Sequence, residues 1–125
     1  MGIKLFVDDY RMCPKGWHPA KTVTDAIRIL ATVAVDEVSL DHDIIARCNR
    51  HTWDNETFFT VAYYLALMPL ETRPKIRIHT GNIPQGRKMA ELLGLEYDNY
   101  IYKEEDYNVN DSGENSINSQ EGCDL

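Results

Sequence analysis

Two short apolar runs in this chain end in acids. Leu5-Phe6-Val7 leads into Asp8-Asp9, and Val38-Ser39-Leu40 leads into Asp41-His42-Asp43. A third run, Ile76-Arg77-Ile78, ends in His79-Thr80-Gly81-Asn82. Helix-length segments separate the runs, so they read as parallel strands joined by right-handed crossovers. Parallel strands present their carboxyl ends along one edge of the sheet, where ligands of such folds sit. Four carboxylates, two histidines and a glycine-containing turn would then share one crevice. Carboxylates that crowd and lose hydration repel one another until something positive joins them. A hard cation does this through oxygen ligands, which makes the edge a candidate for metal and phosphate chemistry.

The connecting segments support that order. Residues 22–33 read as a helix, with Val23, Ala26, Ile27, Leu30, Val33 and Ala34 along one face. Thr22 is placed to cap it, with Asp25 three residues on in a capping-box position. A second helix is expected from about 55 to 68, capped by Asp54 or Asn55, striped by Phe58, Val61, Ala62, Leu65 and Met68, and stopped by Pro69. A third begins near Pro84 and ends at Gly94. Strands are expected at 3–7, 37–40 and 75–79, with a short fourth around Tyr100-Ile101-Tyr102.

The length of 125 residues suits one core. The net charge of −7 is unevenly placed: after Lys103 there are seven acids and no Lys or Arg, so residues 1–103 are formally neutral. The expected organisation is therefore an α/β domain over 1–103 and an acidic, Asn- and Ser-rich, disordered tail over 104–125. That tail reads as a solubilising segment or as a partner-binding, nucleic-acid-mimicking one. No dense basic stripe is present, so duplex DNA is not an expected partner. Nor is a membrane, because no apolar stretch is long enough to span one. No secretory pattern opens the chain, and Phe6 stands where a myristoylation pattern needs Ser or Thr. Cys13, Cys48 and Cys123 show no paired spacing and read as free thiols. A cytoplasmic location is the expectation.

Each group at the edge has a bland and a chemical reading. Asp8 and Asp9 suit a turn as well as a metal. Asp41 and Asp43, two apart in extended chain, would face one way with His42 opposite. The letters His42-Asp43 follow a strand here, which argues against the metal motif of all-helical phosphohydrolases. His79 suits proton transfer. Thr80 to Arg87 forms a turn into a helix N-terminus, whose amides favour an anion; Gly81 and Gly86 permit close approach and Arg87 could clamp a phosphate. It lacks the Lys-Ser/Thr of a Walker loop, and no nucleophile elbow or dinucleotide glycine pattern occurs. Arg11 could bind phosphate oxygens or pair with Asp9. Trp17 and Trp53 could stack on a base or fill the core. Residues 44–53 read as a loop carrying Arg47, Arg50, His51 and Trp53; Cys48 and His51 have ligand-like spacing but no second pair, which argues against zinc.

Three ordered motifs over about residues 3–94 resemble the cyclic-phosphate processing receiver family, a variant of the response-regulator receiver fold. They are Leu5-Phe6-Val7-Asp8-Asp9-x-Arg11-x-x-Pro14-x-Gly16-Trp17, then Val38-Ser39-Leu40-Asp41-His42-Asp43, then Ile78-His79-Thr80-Gly81-Asn82 with Gly86-Arg87-x-Met89. The resemblance implies a receiver-like (flavodoxin-like) α/β fold: a mostly parallel sheet of about four strands with helices on both faces. It implies processing of a cyclic phosphate, either a 2′,3′-cyclic RNA end or a cyclic nucleotide signal. It carries the family's motifs onto Asp8, Asp9, Arg11, Asp41, His42, Asp43, His79 and Asn82. Thr80 stands where Ser is frequent in the family, which keeps the hydroxyl.

The expected activity is metal-assisted hydrolysis to a phosphomonoester. Mg²⁺ or Mn²⁺ would be held by Asp8, Asp9 and Asp41 or Asp43. His79 or His42 would move protons, and Arg11, Arg87 and the amides of Thr80, Gly81 and Asn82 would bind phosphoryl oxygens. Either water or Asp41 would attack phosphorus. The rival readings are a phosphoacceptor receiver, with Lys103 as its lysine, and a module that binds a phosphorylated ligand without turnover.

Overall fold

The computed structural model describes residues 2–43 and 57–107. The elements run β1 (Ile3–Val7), β2 (His18–Ala20), α1 (Val23–Thr32), β3 (Val35–Leu40), α2 (Phe59–Leu67), β4 (Lys75–Ile78) and α3 (Ile83–Leu93), then a 3₁₀ turn at Glu104–Tyr107. The strands form one parallel sheet in the order β2-β1-β3-β4. The central register pairs Leu5 with Val38, Val7 with Leu40 and Leu40 with Ile78.

Strand alternation sorts the side chains onto two unlike faces. One face carries Leu5, Val7, Val38, Leu40 and Ile78, and these join the buried stripes of all three α-helices in a single apolar cluster. Phe58, Val61, Ala62, Leu65 and Met89 in that cluster have no solvent exposure. Phe58, Val61, Leu65 and Met89 each contribute about 1.5–3 kcal/mol on burial, and the smaller Ala62 less. The receiver-like α/β fold expected from the sequence is the observed one, but its α-helices lie on one face rather than two.

The opposite face carries Lys4, Phe6, Ser39 and Arg77, and its cover is thin. Residues 8–17 link β1 to β2 without a helix, and a right-handed crossover in that direction passes over this second face. Trp17 accordingly lies 5.5 Å from both the Lys4 ammonium and the Arg77 guanidinium. The segment after α3 completes the cover: Tyr102 meets Phe6 edge-on at 5.4 Å, and Lys15 N–H donates to the Asp106 carbonyl at 2.9 Å. The first residues of the expected tail thus belong to the folded body, and 108–125 lie outside the described residues.

Two other boundaries differ from expectation. The fourth strand is β2, too short to stand out as a pattern, while 99–102 contribute only an isolated bridge from Asn99 to Ile78. Helix α2 starts after Phe58 with no side-chain cap; the expected cap at Asp54 or Asn55 lies outside the described residues. The Arg73 guanidinium serves the other end of α2, donating to the Ala66 and Met68 carbonyls at 3.0 Å. Helix α1 keeps its Thr22 cap, whose hydroxyl accepts Asp25 N–H at 3.0 Å. Helix α3 ends at Gly94 with φ 71°, the left-handed conformation that favours glycine. The loop with Arg47, Cys48, Arg50, His51 and Trp53 falls within residues the structure does not describe.

Candidate active site

β1 and β3 lie side by side, so the acids that follow them emerge together. Asp8 is fixed first. Its Oδ1 accepts the backbone N–H groups of Tyr10 and Arg11 at 2.8 and 3.0 Å. Asp41 is fixed by the His42 N–H, which donates to its Oδ1 at 2.7 Å. The remaining oxygens, Asp8 Oδ2 and Asp41 Oδ2, both accept from Arg11 Nη1, at 2.9 and 3.1 Å. The positive partner that the acid cluster requires is therefore a guanidinium from the loop after β1.

His79 completes the group from the end of β4. Its Nε2 lies 2.9 Å from Asp8 Oδ2 and its Nδ1 lies 2.8 Å from Ser39 Oγ. The ring stacks on Phe6 with centroids 4.7 Å apart. Ser39 Oγ in turn lies 2.6 Å from the Tyr102 hydroxyl, which accepts from Arg77 Nη1 at 3.3 Å. One direction of donation satisfies every group: Arg77 to Tyr102, Tyr102 to Ser39, Ser39 to Nδ1, and Nε2–H to Asp8. That direction assigns a neutral imidazole protonated on Nε2.

Electrostatics agree. Burial and the guanidinium charges of Arg11 and Arg77 push the His79 pKa down, against the pull of Asp8. Burial works to raise Asp8, but the His79 hydrogen bond and charge and the Arg11 and Tyr10 amides outweigh it and hold Asp8 below the usual range. Asp41 goes the other way. Burial and the neighbouring Asp8 charge push it up to about 7, despite Arg11, the His42 amide and the Thr80 hydroxyl. Two carboxylates in one pocket are thus split into a permanent anion and a group that titrates near neutrality, the pattern of an acid–base pair.

The other expected site residues divide. Thr80 and Gly81 line a cavity of about 330 Å³ together with Arg11, His79, Tyr102 and Tyr107. Asn82 caps α3, its Oδ1 accepting Gln85 N–H at 3.3 Å, while its Nδ2 donates to Asp43 Oδ1 at 3.3 Å. The turn amides are less available than the sequence suggests. Thr80 N–H donates to Asn99 Oδ1 at 2.8 Å, and Asn82 N–H to Thr80 Oγ1 at 3.0 Å.

Asp43 does not share the oxygen cluster of Asp41. It takes His42 Nδ1 at 2.6 Å, because β3 ends at Leu40 and strand alternation lapses beyond it. His42 is therefore held sideways, against Asp43 and edge-on to Phe59 at 5.8 Å. Arg87 is exposed, one turn into α3, with its guanidinium 5.2 Å from the Tyr97 ring; it does not line the cavity. Asp9 is partly buried and lies outside the group of donors close enough to share an ion. Among the described residues that group is Asp8, Asp41 and His79, whose donor atoms lie within 4.8 Å of one another. Two carboxylates and an imidazole form a donor set that suits a divalent cation.

Ser39, Tyr102, Asn99 and Tyr107 were not singled out from the sequence. Ser39 carried a signal, being the one polar residue in Val38-Ser39-Leu40; the others sit in a segment without clear periodicity. Cys13 is a free thiol pushed up to about 11 by burial, which keeps it inert. A second cavity, about 350 Å³, opens beside β4 and is lined by three acids, Glu37, Glu96 and Asp98, and two bases, Lys75 and Arg77. No helix among the described residues is long and apolar enough to cross a membrane.

Comparison with known proteins gives one match: a family model for the cyclic-phosphate processing receiver domain covers residues 3–94. No curated protein and no solved structure matches the chain.

Proposed function

This chain belongs to the cyclic-phosphate processing receiver family, and from that premise we propose that it hydrolyses a cyclic phosphate ester of a nucleotide or RNA end to a phosphomonoester. The observation that carries the proposal is the pairing of Arg11, which lines the 330 Å³ cavity, with two carboxylates of opposite titration, Asp8 and Asp41, buried behind it. A cavity of that size lies at the lower end of small-molecule sites and admits a mononucleotide. Tyr100, Ile101, Tyr102 and Tyr107 on its wall offer surface to a base.

In this reading the Arg11 guanidinium binds the nonbridging phosphoryl oxygens bidentately. Asp41, poised near neutrality, takes the proton of the attacking water as the new O–P bond forms. It returns that proton to the ring alkoxide as the P–O ester bond breaks. Asp8 stays ionised and, through Nε2–H, fixes the His79 ring. Both His79 nitrogens are engaged within the protein, so proton transfer is assigned to Asp41 rather than to His79 or His42. Asp8 and Asp41 would hold Mg²⁺ or Mn²⁺ through carboxylate oxygens, with His79 Nε2 joining them only once its proton has moved; the ion would supply positive charge for the phosphoryl oxygens.

The phosphoacceptor alternative needs an ammonium beside Asp41. Lys103 is exposed, and its N–H donates to Asp106 at 2.7 Å in the 3₁₀ turn. The test is incubation of the full chain with 2′,3′-cyclic nucleotides, 3′,5′-cyclic nucleotides, cyclic dinucleotides and cyclic-ended RNA, with Mg²⁺, Mn²⁺ or chelator. Release of a phosphomonoester from at least one of them is expected. Tight binding without product from all would replace hydrolysis with sequestration.

A further inference from the structure

We infer that Arg11 and a divalent cation are alternative occupants of one carboxylate pair, so that the site takes its cation together with an oxyanion that draws Arg11 away. The inference rests on the proposed function for the identity of the oxyanion, but its geometry stands without it.

The argument starts from which oxygens remain. Asp8 Oδ1 is bound by two backbone amides and Asp41 Oδ1 by a third, none of which can leave without breaking the loops that follow β1 and β3. The Oδ2 atoms, which no backbone amide holds and of which Asp8 Oδ2 also takes His79 Nε2 at 2.9 Å, are the pair a shared cation would use. Both Oδ2 atoms are already bonded to one nitrogen, Arg11 Nη1. A guanidinium hydrogen and a metal ion cannot occupy the same point, and two positive charges so close repel each other, the more so beside two buried carboxylates.

Burial then decides which group moves. The Asp8 and Asp41 side chains are 0% and 2% exposed, whereas the Arg11 side chain is 36% exposed. Its second nitrogen, Nη2, faces Gly81, 3.8 Å from where a Cβ would stand there. Arg11 thus sits between the acids and the cavity wall, and a rotation of its side chain carries the guanidinium from one to the other. An oxyanion in the cavity offers it new partners as it leaves the acids. The acids, stripped of their counter-charge, then favour a cation. Such coupling is reciprocal: the cation must strengthen oxyanion binding by the same factor that the oxyanion strengthens the cation's.

The experiment is Mn²⁺ binding to the full chain, read by electron paramagnetic resonance of free Mn²⁺, with and without sulfate, which complexes Mn²⁺ weakly. For the wild type, sulfate should tighten Mn²⁺ binding by about tenfold, within the usual range of site-to-site coupling. Arg11→Gln, checked for folding by circular dichroism, should bind Mn²⁺ without sulfate at least as tightly as the wild type does with it, and should show no sulfate effect. Equal Mn²⁺ affinity of the wild type with and without sulfate would overturn the inference, a result that needs no variant. Binding to neither protein overturns it too. Hydrolysis measured separately in chelator distinguishes this failure from failure of the proposed function, since turnover without a cation would leave that function standing.

Discussion

The Nδ1 atom of His79 lies 2.8 Å from the hydroxyl of Ser39, a contact between the ends of two neighbouring strands that decides the protonation of the ring. With Ser39 donating, Nδ1 accepts and Nε2–H is left to point at Asp8. The same serine accepts from Tyr102, so a residue near the end of the described chain helps to set the orientation of an acid near its start.

Ser39→Ala should therefore do more than remove a hydroxyl. Ser39 is fully buried, and its loss leaves Nδ1 without a donor, at a cost of about 1–3 kcal/mol in urea unfolding. The ring can then adopt the other tautomer, which ¹⁵N shifts of His79 would report. Tyr102→Phe leaves the Ser39 donation possible and should keep the Nε2–H form. An unchanged tautomer in both variants would remove Ser39 from that role.

Asp41→Asn should reduce phosphomonoester release by at least about a hundredfold while the fold persists. Its stability should also depend on pH differently. Folded Asp41 keeps its proton up to about 7, while the unfolded carboxyl loses it near its ordinary 3.8. Between those values the folded state binds the extra proton, so this group weakens folding as pH rises. The asparagine variant lacks that dependence. Its stability relative to wild type should climb with pH across the window, by up to about 1.4 kcal/mol per unit. His79, kept neutral by burial, acts in the opposite sense in both proteins, so the difference between their urea-unfolding curves in chelator is the measure. A flat difference would mean that Asp41 is ionised throughout.

Arg11 and Arg87 should separate cleanly. Arg87→Ala removes an exposed guanidinium that rests on Tyr97 and should change kcat/KM by less than about threefold, the range of a surface substitution. Arg11→Ala leaves two buried carboxylates facing each other. It should lose turnover and destabilise the fold by about 2 kcal/mol, less than a fully buried pair because Arg11 is partly exposed. Steady-state kinetics with the two variants side by side provide the check.

Gly86→Ala should act on the site from beneath. A Cβ at this position would stand 2.9 Å from Thr80 Cγ2 and 3.1 Å from the Tyr97 ring. Overpacking of this kind costs about 1–3 kcal/mol. Because the Thr80 hydroxyl helps to hold down the Asp41 pKa, the variant should lose activity beyond what its melting temperature explains. Full activity in a destabilised protein would show that the turn gives way without moving Thr80.

Much of this architecture is legible in local patterns. The three acid- or histidine-ended runs mark strands because their neighbours are amphipathic at helical period. The Thr22 cap, the Asn82 turn and Gly94 follow from side-chain and backbone chemistry within a few residues. β2 was missed because three residues, His18-Pro19-Ala20, carry no period, and only β1 beside them makes them a strand. Composition turns acidic at Glu104, yet Asp106 and Tyr107 make contacts with Lys15 and Tyr102 that no local pattern announces.

The site divides the same way. Acids, a histidine and a glycine turn are brought to the carboxyl edge of a parallel sheet by local pattern alone, since strand order and crossover hand leave little choice. Which atoms face each other there depends on long-range packing. It gave Asp41 to Arg11 and Asp43 to His42, placed Arg87 on Tyr97, and joined Ser39 and Tyr102 to His79. The physical reason is that alternation ends where a strand ends. Beyond Leu40 and Ile78, direction is set by whichever distant donor reaches a buried oxygen or nitrogen first, and no local pattern encodes that partner.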